Sequence, residues 1–98
     1  MLKFEWDAAK NRANRRKHGL SFETASLVFE DPFALMHQDR EVKGELRWQV
    51  IGRVAEQLVL VVAHTVHDAE DSSEIIRLIS ARKALQDERK RYEEQTYR

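Results

Sequence analysis

Arg77 sits between Ile75 and Ile79 at alternate positions, so on a strand its guanidinium shares a face with apolar side chains. Taking such a charge out of water demands a partner, either an anion from outside or a carboxylate of the chain itself. Glu88 and the acidic stretch around Asp68, Glu70, Asp71 and Glu74 are the internal candidates. Arg47, in another strand-like segment, poses the same question. Arg82, Leu85, Arg89 and Tyr92 recur at i, i+3, i+7 and i+10, which on one helix sets two cations beside a leucine and a phenol. A phosphodiester fits there, and so does a solvated helix whose arginine stems lie along a sheet. His64 ends an apolar run. It reads either as a proton carrier, its ordinary pKa being about 6.5, or as a structural histidine at a strand end. Lys10, Arg12, Arg15, Arg16 and Lys17 form a cationic run, a pattern that most often marks a solvated face.

Several chemistries are excluded. There is no Gly-rich phosphate loop, no His-Glu-x-x-His and no Gly-x-Ser-x-Gly. The acidic stretch lacks the spacing and central glycine of a calcium loop. His18, His37, His64 and His67 show no paired ligand spacing, so no metal site and no cofactor are expected. With no cysteine, a disulfide scaffold and a thiol nucleophile are ruled out. Lys plus Arg number 17 and Asp plus Glu 17, so nucleic-acid binding has to come from a local patch and not from global charge. A direct DNA-binding domain is disfavoured, because residues 14–19 introduce no recognisable recognition helix. No run approaches 18 apolar residues and the first residues carry no apolar leader core, which reads as a soluble cytoplasmic protein.

Positioning such residues takes a small core, and 98 residues with 42% hydrophobic content suffice for one domain, 1–98. Leu2, Phe4 and Trp6 alternate with polar residues as in a short strand. Asp7 is a helix cap, and residues 8–17 follow as a helix lying close to its neighbour on a thin stripe of Ala8, Ala9 and Ala13. Gly19 ends it, and Ser21 caps a second helix with Phe22, Ala25, Ser26 and Phe29 inward, stopped by Asp31-Pro32. Beyond Pro32 the period becomes that of strands: 33–38 at an edge, a charged turn over 39–45, then 46–54. The Val-rich 58–65 has both faces buried and is central, and 75–80 is the last strand. A terminal helix over 81–95 completes an α+β domain: an N-terminal strand and two helices, an antiparallel β-sheet and a C-terminal helix.

The order of motifs adds a further reading. Phe4-Glu5-Trp6-Asp7, Lys10, Asn14, Lys17-His18-Gly19, Ser21-Phe22-Glu23, Asp31-Pro32, Glu45-Leu46-Arg47, Ile51-Gly52, His64-Thr65, Ile79-Ser80-Ala81-Arg82-Lys83-Ala84, Glu88-Arg89 and Tyr92 together resemble the BrnT family over nearly the whole chain. Ala8, where proline is frequent, and Val66-His67 with the acidic stretch, where a shorter connection is usual, depart from it. The resemblance implies a RelE-like fold and a ribonuclease toxin of a bacterial type II toxin-antitoxin pair that stops translation. It also implies a BrnA-like ribbon-helix-helix antitoxin, whose dimer joins two toxins and represses their operon. Metal-free RNA cleavage needs a base for the 2′-hydroxyl, cations for the developing phosphorane charge and an acid for the 5′-oxygen. Arg77 and Arg82 are assigned to the phosphate, His64 or Glu88 to the protons, and Tyr92 to base stacking or proton donation. Arg47, Lys83, Arg89, Lys10 and Lys17 are assigned to RNA binding. The competing reading is a non-enzymatic module whose sheet face holds a protein partner and whose cations are structural ion pairs.

Overall fold

The computed structural model describes residues 2–96. β1 (Leu2–Glu5) leads to α1 (Ala8–His18), α2 (Phe22–Ala25) and a 3-10 turn (Ser26–Glu30). Then come β2 (Leu35–Val42), β3 (Glu45–Ala55), β4 (Leu58–Asp68), β5 (Glu74–Lys83) and α3 (Gln86–Thr96). The sheet order is β1-β5-β4-β3-β2, so the Val-rich segment is central, as its two-sided apolarity requires. β2 to β5 pair antiparallel, and β1 joins the edge of β5 in parallel.

One sheet face carries Val50, Leu60, Val62, Ile76, Leu78 and Ala81 and is covered by Leu20, Phe22, Ala25 and Val28. Gly52 permits this contact, because a Cβ there would stand 3.0 Å from that of Val28. On the other face a smaller cluster of Ile51, Val59, Val61 and Tyr92 docks α3.

Asp7 caps α1 by accepting from the amides of Ala9 and Lys10, and Gly19 (φ 71°) closes it with its amide on the Arg15 carbonyl. The expected alanine stripe is not what holds this helix. Ala8, Ala9 and Ala13 are exposed and Asn14 is its buried residue. β1 leaves the outer edge of β5 free beyond Arg77, and Asn14 acts there as a substitute strand. Its Nδ2 donates to the carbonyls of Ala81 and Leu20 (2.9 Å each), and its Oδ1 accepts from the Ala81 amide at 3.1 Å. Asn14→Ala would orphan these buried groups, so we expect a stability loss of about 2–3 kcal/mol, read by urea denaturation.

Several boundaries differ from the sequence reading. The charged turn expected over 39–45 shrinks to Lys43-Gly44, both at positive φ (51° and 79°), a conformation whose twist suits a tight hairpin. Asp39, Arg40 and Glu41 instead continue the exposed edge strand, where charge discourages pairing with other chains. α2 is a single turn that tightens into the 3-10 segment. The terminal helix starts at Gln86 and not at 81, because Ala81, Arg82 and Lys83 pair with Val62, Val61 and Leu60 of the central strand. Ladder pairing and the complete burial of Ala81 outweigh the helix preference of Ala, Arg and Lys. Arg82 and Leu85 therefore share no helical stripe.

Candidate functional site

The expected site residues fall into four groups. Arg82, Lys83, Glu88, Arg89 and Tyr92 gather where β5 meets α3, and most are tied to one another or to the fold. Arg82 grips Glu88 through both nitrogens, at 2.7 and 2.9 Å, while Glu88 also accepts from the Leu85 amide at 2.8 Å, the reciprocal half of a helix-capping box. The Arg82 guanidinium holds the Glu88 carboxyl down to about 2, against the opposing push of burial. Arg89 bonds Glu93 and the Gln57 carbonyl. Tyr92 is 1% exposed and donates to Asp31 at 2.5 Å, with Arg53 5.6 Å from its ring centre. Burial pushes the Asp31 carboxyl up, but the bonds from Tyr92 and from the Arg53 and Phe33 amides, with the Arg53 charge, bring it below its ordinary value. Lys83 is exposed at the end of β5.

His64 stands apart. It lies inside β4 and not at its end, on the helix-covered face, fully buried with its ring edge-on to Phe29 at 4.9 Å. Burial lowers its pKa, against the weaker pull of the Val62 carbonyl 3.3 Å from Nδ1. The ring is neutral at pH 7 and faces away from the arginines. Because its folded-state pKa lies below the ordinary 6.5, its contribution to stability is complete above that pH and is lost as pH falls through the lowered value. His64→Gln is expected to reduce the fall in stability below pH 6.5, as followed by thermal melts across pH.

The third group is on the sheet face that α3 covers only in part. Arg77 shares this face with Ile75, whereas Ile79, expected beside them, is the extra residue where β5 bulges; the face is the half-open one and the guanidinium is exposed. Among the described residues no ion pair joins it to Glu88 or to the acidic stretch: Glu88 belongs to Arg82, and Asp71 to Lys3 at 2.7 Å. Thr65 pairs with Arg77 in the ladder, and the β3–β4 register, continued one residue beyond Trp48↔His64, sets Arg47 on the other side of Thr65. Glu5 of β1 pairs with Arg77 from the outer side. The row across four strands is thus Glu5, Arg77, Thr65, Arg47. Thr65 is 1% exposed, and its hydroxyl and the buried Nε of Arg47 make no hydrogen bond. Buried polar groups without partners are uncommon in native proteins; here two stand on neighbouring strands of this face, and Nε2 of His64 is a third on the opposite face. His67, one step along β4, lies 3.6 Å from Glu5.

Arg77 and Arg82 do not converge. Their β4 partners, Thr65 and Val61, are four residues apart on the same face, a spacing of about 13 Å along a strand. Lys10 and Lys17 line a depression of about 280 Å³ with His18, Ile79 and Ser80, where the extra residue Ile79 bulges β5. A second depression of about 270 Å³ is lined by Glu5, Trp6, Asp7 and Arg77. The amides of Lys10 and Ala9 lower the Asp7 carboxyl, helped by the charges of Lys10 and Arg77. The cations of α1 and β5 therefore flank one edge of the sheet.

Sequence reading missed Glu5, Thr65 and His67. The apolar run ends at 65, whereas β4 runs on to Asp68 and carries the alternation Ala63, Thr65, His67 along one face. The alternation Arg77, Ile75 against Thr65, His67 was the signal that could have found it.

An α+β domain with one sheet face sealed by helices, and the other turning guanidiniums, a carboxylate and an imidazole outward, is equipped to grip and act on a phosphodiester. Residues 6–88 match the family model described as the ribonuclease toxin, BrnT, of type II toxin-antitoxin systems, and the chain belongs to that family. The crystal structure of the Brucella abortus ribonuclease toxin BrnT is similar, with 25% identity and a TM-score of 0.62 over 88% of this chain and 100% of that one. No curated protein matched the chain. Membership brings with it an RNA substrate and an antitoxin partner. Among the described residues, no helix is long and apolar enough to cross a membrane.

Proposed function

We propose that the chain is an endoribonuclease toxin that cuts RNA without a metal ion on the open half of its sheet and thereby stops translation. The observation that carries this reading is the Arg47–Thr65–Arg77 row, with its two buried, unpartnered polar groups between strands. Arg77 and Arg47 hold the scissile phosphate. Guanidiniums match paired phosphate oxygens and stay charged at any working pH. Lys10 and Lys17 take the RNA backbone on one side. Arg82, held by Glu88, forms with Lys83 and Arg89 a second cationic border for flanking phosphates. Tyr92 positions α3 beneath that border, and His64 supports the sheet from behind.

A BrnA-like ribbon-helix-helix antitoxin neutralises the chain in the cytoplasm, two toxins to one antitoxin dimer, and only the antitoxin contacts operator DNA. Leu2 and Phe4, exposed together on the edge strand β1, support the need for a protein cover there. The test is expression with and without the adjacent gene, together with RNA cleavage by the purified chain in EDTA. Growth arrest and a fall in protein synthesis, relieved by the neighbour, with cleavage in EDTA, are expected. An inert chain that still captures the neighbouring product would support the non-enzymatic partner reading instead. Loss of all cleavage in EDTA would overturn metal independence.

A further inference from the structure

The Arg47–Thr65–Arg77 stretch of the row holds no proton acceptor, and the carboxylate at its end, Glu5, faces the His67 ring. Arg47 and Arg77 cannot be deprotonated at working pH, and a threonine hydroxyl is no base. Of the histidines, His64 is sealed beneath the helices, whereas His67 is exposed on the same face as Thr65 and Arg77. Its Nε2 lies 3.6 Å from Oε1 of Glu5, both side chains being nearly half exposed. Glu5 is on β1 and His67 on β4, with β5 between them, so this contact crosses β5 at the level of Ile75 and Arg77. The imidazole thus lies near a carboxylate beside the guanidinium row, within reach of water and of a bound nucleotide.

The geometry points to His67 as the catalytic base of RNA cleavage, with Glu5 as the residue that positions it, a role resting on the proposal that RNA is cut on this face. Neutral His67 takes the proton of the 2′-hydroxyl as the 2′-oxygen bonds to the adjacent phosphorus. The bond from phosphorus to the 5′-oxygen breaks, and that oxygen takes a proton from water. The hydroxide so formed recovers the proton held by His67, leaving a 2′,3′-cyclic phosphate and a 5′-hydroxyl end. The Glu5 carboxylate steadies the transient imidazolium, as carboxylates do for catalytic histidines. The other charged groups on this face around His67 are Lys3, itself tied to Asp71, on β1, Arg77 on β5, and Arg47 and Glu45 on β3. The two arginines keep their charge throughout the working range, so they add no limb of their own to a pH profile near neutrality.

The test is single-turnover cleavage of a short fluorophore-quencher RNA across pH 5 to 9 by the wild-type chain, His67→Ala, Glu5→Gln and Glu5→Ala. Binding of the same oligonucleotide with 2′-deoxy sugars is measured alongside. His67→Ala is expected to lose about 10²- to 10³-fold in rate and the acidic limb of the profile, with binding changed less than about threefold. Glu5→Gln, which keeps an oxygen toward the ring, should retain more activity than Glu5→Ala. A wild-type chain that cuts RNA while His67→Ala cuts at the same rate with the same acidic limb overturns the assignment of the base alone. A wild-type chain that leaves RNA intact overturns this assignment and the proposed function together.

Discussion

Arg77→Ala is expected to slow RNA cleavage by about 10²-fold or more while leaving the fold intact. A donor aimed at transition-state charge typically has that effect, and Arg77 is the exposed guanidinium in the row with the unpartnered Thr65 hydroxyl. The competing account, in which Arg77 is half of an ion pair, predicts lost stability through an orphaned carboxylate. Among the described residues Arg77 makes no ion pair: Glu88 is taken by Arg82 and Asp71 by Lys3, and Asp7 and Glu5 stand near its charge without a bond to it. Its removal should therefore change stability by no more than about 0.5 kcal/mol. Arg77→Lys keeps the charge but loses the planar fork, and should recover only part of the rate. Single-turnover cleavage and chemical denaturation on the same preparations check both halves of this expectation.

Arg82→Ala should do the opposite, weakening the fold more than the chemistry. Glu88 is 8% exposed and would be left as a buried carboxylate with only the Leu85 amide. Loss of one partner of a buried pair costs about 3–5 kcal/mol, and because Arg82 is a third exposed we expect about 2–3 kcal/mol. The pH dependence carries the signature. With its folded-state pKa at about 2, well below the ordinary carboxylate range, Glu88 contributes stability that is complete above about 4.5 and lost as pH falls toward 2. Glu88→Gln and Arg82→Ala should both flatten the stability curve between pH 4.5 and 2. Measured well below the melting temperature, Arg82→Ala should bind RNA several-fold more weakly at a nearly unchanged cleavage rate.

These two arginines show what the sequence discloses and what it hides. The sequence places both beside apolar residues, and the period of two sets Arg77 on a face with Ile75, but it does not foresee the bulge at Ile79 that breaks this period. What it cannot supply is which face the helices cover. That depends on Phe22, Ala25 and Val28 reaching across to Val50 and Val62, contacts distant in the chain. Arg82 was drawn into a helix because Ala-Arg-Lys-Ala-Leu is a good helical run, whereas pairing with a central strand overrides such preferences. β4 and β5 likewise extend further than their apolar stretches, and so Thr65 and His67 were left out of the candidate site. The docking of α1 was misread for a related reason. Alanines suggest close packing, yet a single asparagine bridging a free strand edge does that work. The central strand, the two caps Asp7 and Ser21, and the break at Asp31-Pro32 were legible because each rests on local chemistry: two-sided apolarity, a carboxylate or hydroxyl at free amides, and the restriction proline imposes.

The central claim is that RNA lies on the open half of the sheet, across β1, β5, β4 and β3. Chemical-shift mapping of the isotope-labelled chain with a 2′-deoxy oligonucleotide, which binds but lacks the attacking hydroxyl, addresses it most directly. The account predicts shifts concentrated at Glu5, Arg47, Thr65, His67 and Arg77, with weaker ones at Lys10 and Lys17. Shifts confined to the helical side around Leu27 and Phe33, or to α3 alone, would contradict it.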